Sequence, residues 1–159
     1  MPRNKFQTII FTLLMTFFMV YVMICYNIAI EKGNMSNEIF LIAFQELIIM
    51  WPAAFLIEML FGEKLSMKLA WRIITPVMNN SILMVLAISS MTVCVMCPVM
   101  SLLAVLLFKN PGTQLAAVWI NTIVFNFPMA LFSQIFFIGP LVRFIFGTMF
   151  KKEEEEVTV

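Results

Sequence analysis

Carboxylates inside long apolar segments are the residues of this sequence best suited to chemistry. Glu46 and Glu58 both lie within the apolar stretch 39–61. An ionisable side chain at the centre of a membrane helix costs about 2.5–3.5 kcal/mol on insertion scales, so such residues are typical of ion and proton pathways. We expect no basic residue at the depth of Glu46, and burial without a cation favours the neutral carboxyl. Glu46 is therefore our candidate for a proton-coupling group.

Both carboxylates also have a simpler interpretation. Glu46 can fix helix packing through a hydrogen bond to a neighbouring helix, and this alternative stays open. Glu58 lies near the end of the same stretch, within reach of Lys64 or Arg72. For Glu58 we expect an interfacial carboxylate that pairs with one of these basic residues.

Amide side chains recur near the depths of the two carboxylates. A predicted polar layer groups five residues: Gln45, Asn121, Asn126, Glu58 and Gln134. Polar side chains at two depths suit a hydrated path through a helix bundle. They equally suit hydrogen bonds that hold helices together, at roughly 0.6–2 kcal/mol each.

Three prolines lie in the middle of apolar stretches, at Pro52, Pro98 and Pro128. Each lacks an N–H group and leaves the carbonyl four residues earlier without its helical partner. We predict helix kinks at these positions, which would let the bundle open or bend. Membrane helices also tolerate prolines that have no function.

The 15 Met and 3 Cys raise the hypothesis of a soft metal ion. Met15, Met19 and Met23 share one helical face, and thioethers with thiolates select Cu(I). Methionine more often fills apolar cores, so Cu(I) handling is a minor alternative and we assign no metal ligands. Cys94 and Cys97 are expected to be buried free thiols rather than a disulfide.

The absence of His and Asp removes the residues that most catalytic and zinc sites use. The 5 Gly are scattered singly, so no loop suits a phosphate group, and no nucleophile lies beside a base. We therefore expect neither an enzyme nor a cofactor.

The composition requires an apolar solvent around the protein. Of the 159 residues, 62% are hydrophobic and 12% are charged, against about 45–50% and about 25% in soluble domains. A chain of this length leaves too much of its area on the outside to hide that apolar surface. The partner of this chain is therefore expected to be the lipid bilayer.

Four stretches reach the length of about 20 apolar residues that a membrane helix needs. They cover about 6–30, 39–61, 82–108 and 115–138. Alternation with period two, which is typical of a β-barrel, is absent. The fold class is therefore predicted as an all-α integral membrane protein with four transmembrane helices.

Basic residues predict the orientation. Eight of them would lie on one side: Arg3, Lys5, Lys64, Lys68, Arg72, Arg143, Lys151 and Lys152. Only Lys32 and Lys109 would lie on the other side. Because cytoplasmic loops carry the excess of Lys and Arg, we expect a multi-pass protein of the cell membrane with both termini in the cytoplasm.

The sequence repeats itself after 76 residues. Asn34 aligns with Asn110, and the pair Trp51-Pro52 aligns with Phe127-Pro128. Two helices return the chain to its starting side, so the halves are predicted to be parallel repeats of a helical hairpin. The predicted units are residues 1–76 and 77–150, followed by a disordered acidic tail at 151–159.

A shorter segment, both basic and apolar, follows each predicted hairpin, at 65–74 and 141–150. Our fold prediction takes each as a helix in the cytoplasmic interface, with its basic residues toward the headgroups. A continuation of the preceding helix beyond the membrane fits the same residues equally well.

Several of these features occur together in one family. The tandem hairpins, the methionines of the first helix, the Trp-Pro and Phe-Pro pair and the Gly-Pro-Leu-Val-Arg run at 139–143 resemble the Domain of Unknown Function 2798 membrane family. The likeness covers about residues 5–150. It implies a small four-helix membrane protein of two repeats, without an established activity.

A looser likeness, in architecture alone, is to the proteobacterial antimicrobial compound efflux family, which is also built from two tandem transmembrane pairs. That family has an acidic residue in its first helix, and the first helix here has none. The likeness therefore suggests proton-coupled efflux without supplying the residue that performs it.

The function expected first is proton-coupled transport or efflux of a small hydrophobic or cationic compound. The alternative is a structural or regulatory membrane protein that transports nothing. Large side chains on all faces of four helices leave little room for a pore within one chain, so we expect a homo-oligomer. Anionic lipid explains the basic residues better than nucleic acid, and no nucleic-acid partner is expected.

Overall fold

The computed structural model describes residues 5–73, 81–109 and 112–155, and they are helical apart from a turn and connection at 33–36. Six α-helices follow one another: α1 (Lys5–Lys32), α2 (Asn37–Ile57), α3 (Glu63–Ile73), α4 (Ser81–Ala104), α5 (Leu115–Phe132) and α6 (Gly139–Glu155). Three π-helical segments continue α2, α4 and α5: Glu58–Gly62, Val105–Lys109 and Ser133–Ile138. A short 3₁₀ helix, Gly112–Gln114, precedes α5. The prediction of an all-helical chain is confirmed for these residues.

Four helical stretches of the described chain are long and apolar enough to cross a membrane. They are Lys5–Lys32, Asn37–Arg72, Leu86–Lys109 and Gly112–Met149. Each contains or closely matches one of the four spans that the sequence predicts. Apolar runs of this length form helices in lipid because helices satisfy every backbone hydrogen bond within one segment.

The second and fourth stretches are longer than predicted, at 36 and 38 residues. At 1.5 Å per residue, 36 residues extend about 54 Å, against about 30 Å for a hydrocarbon core. The π segments keep the backbone bonded, because the N–H of Glu63 reaches the carbonyl of Glu58 and that of Gly139 reaches Gln134. The described residues of the segments 65–74 and 141–150 therefore continue the preceding helices, as the second interpretation expects. Their position in the cytoplasmic interface stays a prediction.

Helix α6 also extends into the acidic tail that the sequence predicts to be disordered. It ends at Glu155, so residues 151–155 are helical, while 156–159 lie outside the described residues. Lys and Glu are good helix formers, and an uninterrupted helix precedes them. The predicted boundary at 151 is therefore not where this helix ends.

The long helices exchange partners along their length. Helix α2 packs on α1, whereas α3, which continues it, packs on α4. Helix α5 packs mainly on α4, the π segment Ser133–Ile138 contacts both α1 and α4, and α6 packs on α1. The four long helices therefore form a ring in which α1 and α4 lie on opposite sides.

Two indole groups tie neighbouring helices together. The Nε1 of Trp51 on α2 donates to the carbonyl of Leu13 on α1 at 3.4 Å. The Nε1 of Trp119 on α5 donates to the carbonyl of Pro98 on α4 at 2.9 Å. A buried tryptophan usually finds such an acceptor, and these two bonds orient each pair.

Small residues let α3 approach α4 closely. Gly62, Ser66 and Ala70 recur at every fourth position, and Ser66 and Ala70 are 0% exposed. A Cβ atom added to Gly62 would lie 3.1 Å from the Sδ of Met96 on α4. Small residues on one face are a common means of helix packing in membranes, and the sequence analysis overlooked this stripe.

The three predicted proline positions lie inside α2, α4 and α5, which continue through them. A π segment begins five to seven residues after Pro52, Pro98 and Pro128. Helix α1 contains no proline and no π segment. The predicted kinks stay a prediction.

The close contact between α3 and α4 predicts that an enlarged side chain at Ala70 destabilises the protein. Ala70→Leu should lower the free energy of unfolding by about 1–3 kcal/mol, because overpacking forces helices apart. The matched control is Ala116→Leu, at an exposed position of α5. Thermal unfolding in detergent, followed by tryptophan fluorescence, measures both. Equal stability of the two variants would contradict the contact.

Candidate functional site

A central cavity of about 850 Å³ lies between the long helices. Along α1 its wall runs from Thr8 to Glu31, about 35 Å at 1.5 Å per residue. The cavity is therefore about as long as the hydrocarbon core is thick, and its volume falls within the range of about 300–1,000 Å³ typical of ligand pockets. One chain thus has more internal space than we expected from its large side chains, while the homo-oligomer stays a prediction.

Positions related by 76 residues line this cavity in pairs. On α1 and α4 the pairs are Thr12 with Ile88, Thr16 with Thr92, Val20 with Met96, Ile24 with Met100 and Ile28 with Ala104. On the second and fourth stretches they are Glu46 with Thr122, Met50 with Asn126, Ala54 with Ala130 and Glu58 with Gln134. The two halves of the chain therefore present equivalent faces to the cavity.

Glu46 lines one end of the cavity and is half-buried. Glu31 and Lys109 line the same end and form an ion pair, with 3.1 Å between Nζ and Oε1. Both groups act electrostatically on Glu46. The expectation that no basic residue lies near Glu46 is therefore wrong, because the π segment that ends α4 carries Lys109 into the cavity wall.

Glu58 lines the cavity about 18 Å farther along the same helix, twelve residues after Glu46. Its Oε2 packs over Gly62, where an added Cβ would lie only 2.7 Å away. The charged group that acts on it is Glu63, and within the described chain no cation forms an ion pair with it. The expected pairing with Lys64 or Arg72 is wrong, since both of those side chains are exposed.

Arg143 lines the cavity at the end that Glu63 also lines. Its Nη2 donates to the Oγ of Ser89 at 3.3 Å. The sequence analysis placed Arg143 in an interfacial segment and missed this role. Met67, the equivalent position 76 residues earlier, also lines the cavity.

Asn126 belongs to the wall and is 4% exposed. Its Nδ2 donates to the Oγ of Ser101 at 3.5 Å, and Ser101 lies 4.0 Å from the Sγ of Cys97. The Oδ1 of Asn126 has no hydrogen-bond partner among the described residues. The middle of the cavity wall thus contains a polar cluster from α4 and α5.

The predicted polar layer divides between two surfaces. Glu58, Asn126 and Gln134 line the cavity, whereas Gln45 and Asn121 are exposed and do not. Successive residues of an α-helix are rotated by about 100°, so the neighbours that face the cavity are Glu46 and Thr122. Equivalent depth, on which the prediction rested, says nothing about the direction of a side chain.

Seven methionines line the cavity: Met15, Met19, Met23, Met50, Met67, Met96 and Met100. Cys97 also lines the cavity, and Cys94 and Cys97 are free thiols as expected. Cys94 is exposed on the outside, so the expectation that it is buried is wrong. The described residues contain no group of three or more Cys and Glu side chains placed to hold a metal ion.

The charges of the cavity wall are mostly negative. Four acidic residues line it, Glu31, Glu46, Glu58 and Glu63, against the basic residues Lys109 and Arg143. A cleft with an excess of one charge attracts ligands of the opposite charge. The wall therefore favours a cationic ligand, while the methionines give it a soft apolar surface.

Adjacent positions on α2 test this placement. Glu46→Cys should react with a charged thiol reagent in lipid vesicles at least ten times faster than Gln45→Cys, because a thiol in contact with lipid does not ionise. The pair Thr122→Cys and Asn121→Cys should behave in the same way on α5. The measurement is the labelling rate in a background with Cys25, Cys94 and Cys97 changed to Ser. Faster labelling at Gln45→Cys would contradict the placement.

Comparisons with known proteins agree with the tandem organisation. The model of the family described as domain of unknown function (DUF2798) matches twice, at residues 4–74 and 79–150. The chain is 32% identical over 150 residues to the uncharacterized protein YybC of Bacillus subtilis (strain 168), and the match covers 92% of each chain. No solved structure matches the chain. On the two tandem family matches and this relative, the chain belongs to the DUF2798 family.

Proposed function

We propose that the chain spans the cell membrane four times, with both termini in the cytoplasm, and exchanges protons for a small hydrophobic or cationic compound. The observation that carries the proposal is the central cavity, which is as long as a hydrocarbon core and is lined by carboxylates. Ionisable groups that face the interior of a membrane bundle are typical of substrate and proton pathways.

The proposed orientation follows from the basic residues at the helix ends. Lys32 and Lys109 lie where α1 and the π segment of α4 end. Lys5 begins α1, and Lys64, Lys68 and Arg72 belong to α3, so they lie near the opposite end of the ring. An excess of Lys and Arg marks the cytoplasmic side.

Two parallel hairpin repeats account for the shape of the cavity. The first repeat contributes α1, α2 and α3, and the second contributes α4, α5 and α6. Partner exchange between α2–α3 and α5–α6 closes the ring, so a single chain encloses the cavity. Transport as proposed here therefore does not depend on the homo-oligomer that we expected from the sequence.

The charges and the apolar surface together define the cargo. Four acidic residues face two basic ones in the wall, and the seven methionines provide a flexible, polarisable surface. A small compound that combines a positive charge with apolar groups matches both features. A neutral hydrophobic compound would use the methionine surface alone.

Glu46 is the proposed coupling group. Its ionised form attracts the ammonium group of Lys109 and any cation in the cavity, whereas its protonated form releases them. Cargo and proton therefore compete for the same carboxylate, which is the simplest way to exchange one for the other. Glu58 can hold a proton or a cation at the other end of the same helix.

The test is transport in proteoliposomes with a pH gradient, using a panel of lipophilic cations. We expect gradient-driven flux that falls at least tenfold in Glu46→Gln and several-fold in Glu58→Gln, because an amide cannot exchange a proton. Glu38→Gln, at an exposed position that does not line the cavity, should leave the flux unchanged. No flux of any cation through the wild-type protein would favour the structural or regulatory alternative.

Cu(I) handling is the second candidate, and the methionines of the cavity wall favour it. Met96, Met100 and Cys97 lie within one helix, α4, and thioethers and thiolates select Cu(I). The purified protein should then bind Cu(I) tightly, and the triple change of these residues to Leu, Leu and Ser should weaken binding at least tenfold. Cys94→Ser is the control, because Cys94 is exposed outside the cavity. Unchanged binding in the triple variant would remove this candidate.

A further inference from the structure

Three charged groups meet at one end of the cavity, and each comes from a different long helix. Glu31 belongs to the last turns of α1, Glu46 to α2, and Lys109 to the π segment that ends α4. All three line the cavity. This end, where α1 and α4 terminate, is called the Lys109 mouth below.

The ion pair at the Lys109 mouth crosses the ring. Helices α1 and α4 lie on opposite sides, because α1 packs on α2 and α6 while α4 packs on α3 and α5. The 3.1 Å contact between Lys109 Nζ and Glu31 Oε1 therefore joins two walls that face each other across the cavity.

Glu46 is a second carboxylate of the Lys109 mouth, although among the described residues the ion pair of Lys109 is with Glu31 and not with Glu46. Both members of the ion pair act electrostatically on Glu46, so Lys109 stands within the field of two carboxylates. The other charged residues near this end, Lys32 and Glu38, are exposed and do not line the cavity. Within the described chain, Lys109 is thus the cation that counters both acids of the mouth.

We propose that Lys109 is a tethered counter-ion that closes this mouth and that a cationic cargo must displace. The proposal rests on the proposed function for the nature of the cargo. While the ammonium group bonds Glu31, it obstructs the way into the cavity. A cation that enters the mouth meets the same two carboxylates and takes the place of the ammonium group. Lys109 then swings aside on its flexible stem.

Such a residue sets specificity as well as access. An ammonium group is a compact, strongly hydrated charge on a four-carbon stem, so it is easily exchanged for another cation. An anion is not favoured at the mouth, because after displacing Lys109 it would be repelled by the two carboxylates. The mouth therefore selects for positive charge before the cargo reaches the methionine surface.

The native Cys97 reports whether the mouth is closed. Cys97 is buried and lines the cavity beyond the mouth, whereas Cys25 does not line it and Cys94 lies outside. With Cys25 and Cys94 changed to Ser, labelling by a membrane-impermeant maleimide measures entry into the cavity. This readout requires no transport, so it separates the failure of this proposal from a failure of the proposed function.

The experiment compares labelling rates in vesicles with the reagent added on the side of the Lys109 mouth. Lys109→Gln and Glu31→Gln should each label at least five times faster than the parent, because either change removes the ion pair. The charge exchange Glu31→Lys with Lys109→Glu should restore slow labelling. Glu38→Gln is the matched control and should not change the rate.

Two results would overturn the proposal. Labelling that stays at the parental rate in both single variants would show that the ion pair does not close the mouth. The second result is fast labelling in a charge-exchanged protein that elutes, like the parent, as a single species in size-exclusion chromatography. It would show that the mouth opens through loss of packing and not through loss of the ion pair. If the labelling results agree with the proposal but no cation is transported, the mouth is correct and the proposed function fails.

Discussion

For a chain that spans a membrane as proposed, the central constraint is the cost of placing ionisable side chains in hydrocarbon. Such a group costs about 2.5–3.5 kcal/mol at the centre of a membrane helix, and the second helical stretch carries Glu46 and Glu58 within its apolar length. Both carboxylates face the central cavity, while the outer surface presents side chains such as Leu41, Ile48 and Leu56. A ring of four helices around a cavity satisfies this constraint. The outer surface can present apolar side chains to lipid, while the charged side chains line the cavity.

The repeat places equivalent positions of the two halves along the cavity, with different chemistry on the two walls. Positions that are carboxylates in the first half, Glu46 and Glu58, are Thr122 and Gln134 in the second. Both members of each pair line the cavity. Both halves thus contribute equivalent positions to the wall, whereas the carboxylates that line the cavity come from the first half. Partner exchange through the π segments makes each half depend on the other, since α3 packs on α4 and α6 packs near α1.

The sequence predicts the helices of this protein well and their rotation poorly. Apolar runs and loop residues locate the four helical stretches, and the shift of 76 residues agrees with the two family matches. Gln45 and Asn121 were nevertheless assigned to the polar layer, because these helices are apolar on all sides and depth alone does not show which face is internal. The sequence did not predict the surroundings of Glu58 or the position of Lys109. Both depend on π segments, which widen a helix turn and have no sequence signature of their own. The stripe Gly62, Ser66 and Ala70 is visible in the sequence as small residues at every fourth position.

The most direct test of the central claim is whether water reaches the cavity carboxylates in a bilayer. Magnetisation transfer from water to glutamate carboxyl carbons, measured by solid-state NMR on protein in lipid bilayers, reports this for each residue. If the account is correct, water enters the cavity that Glu46 and Glu58 line, and both should receive magnetisation nearly as fast as the exposed Glu38 does. Transfer to Glu46 and Glu58 as slow as that to lipid-facing aromatic rings such as Phe44 would contradict the account, since the carboxylates would then lie in a dry helix contact.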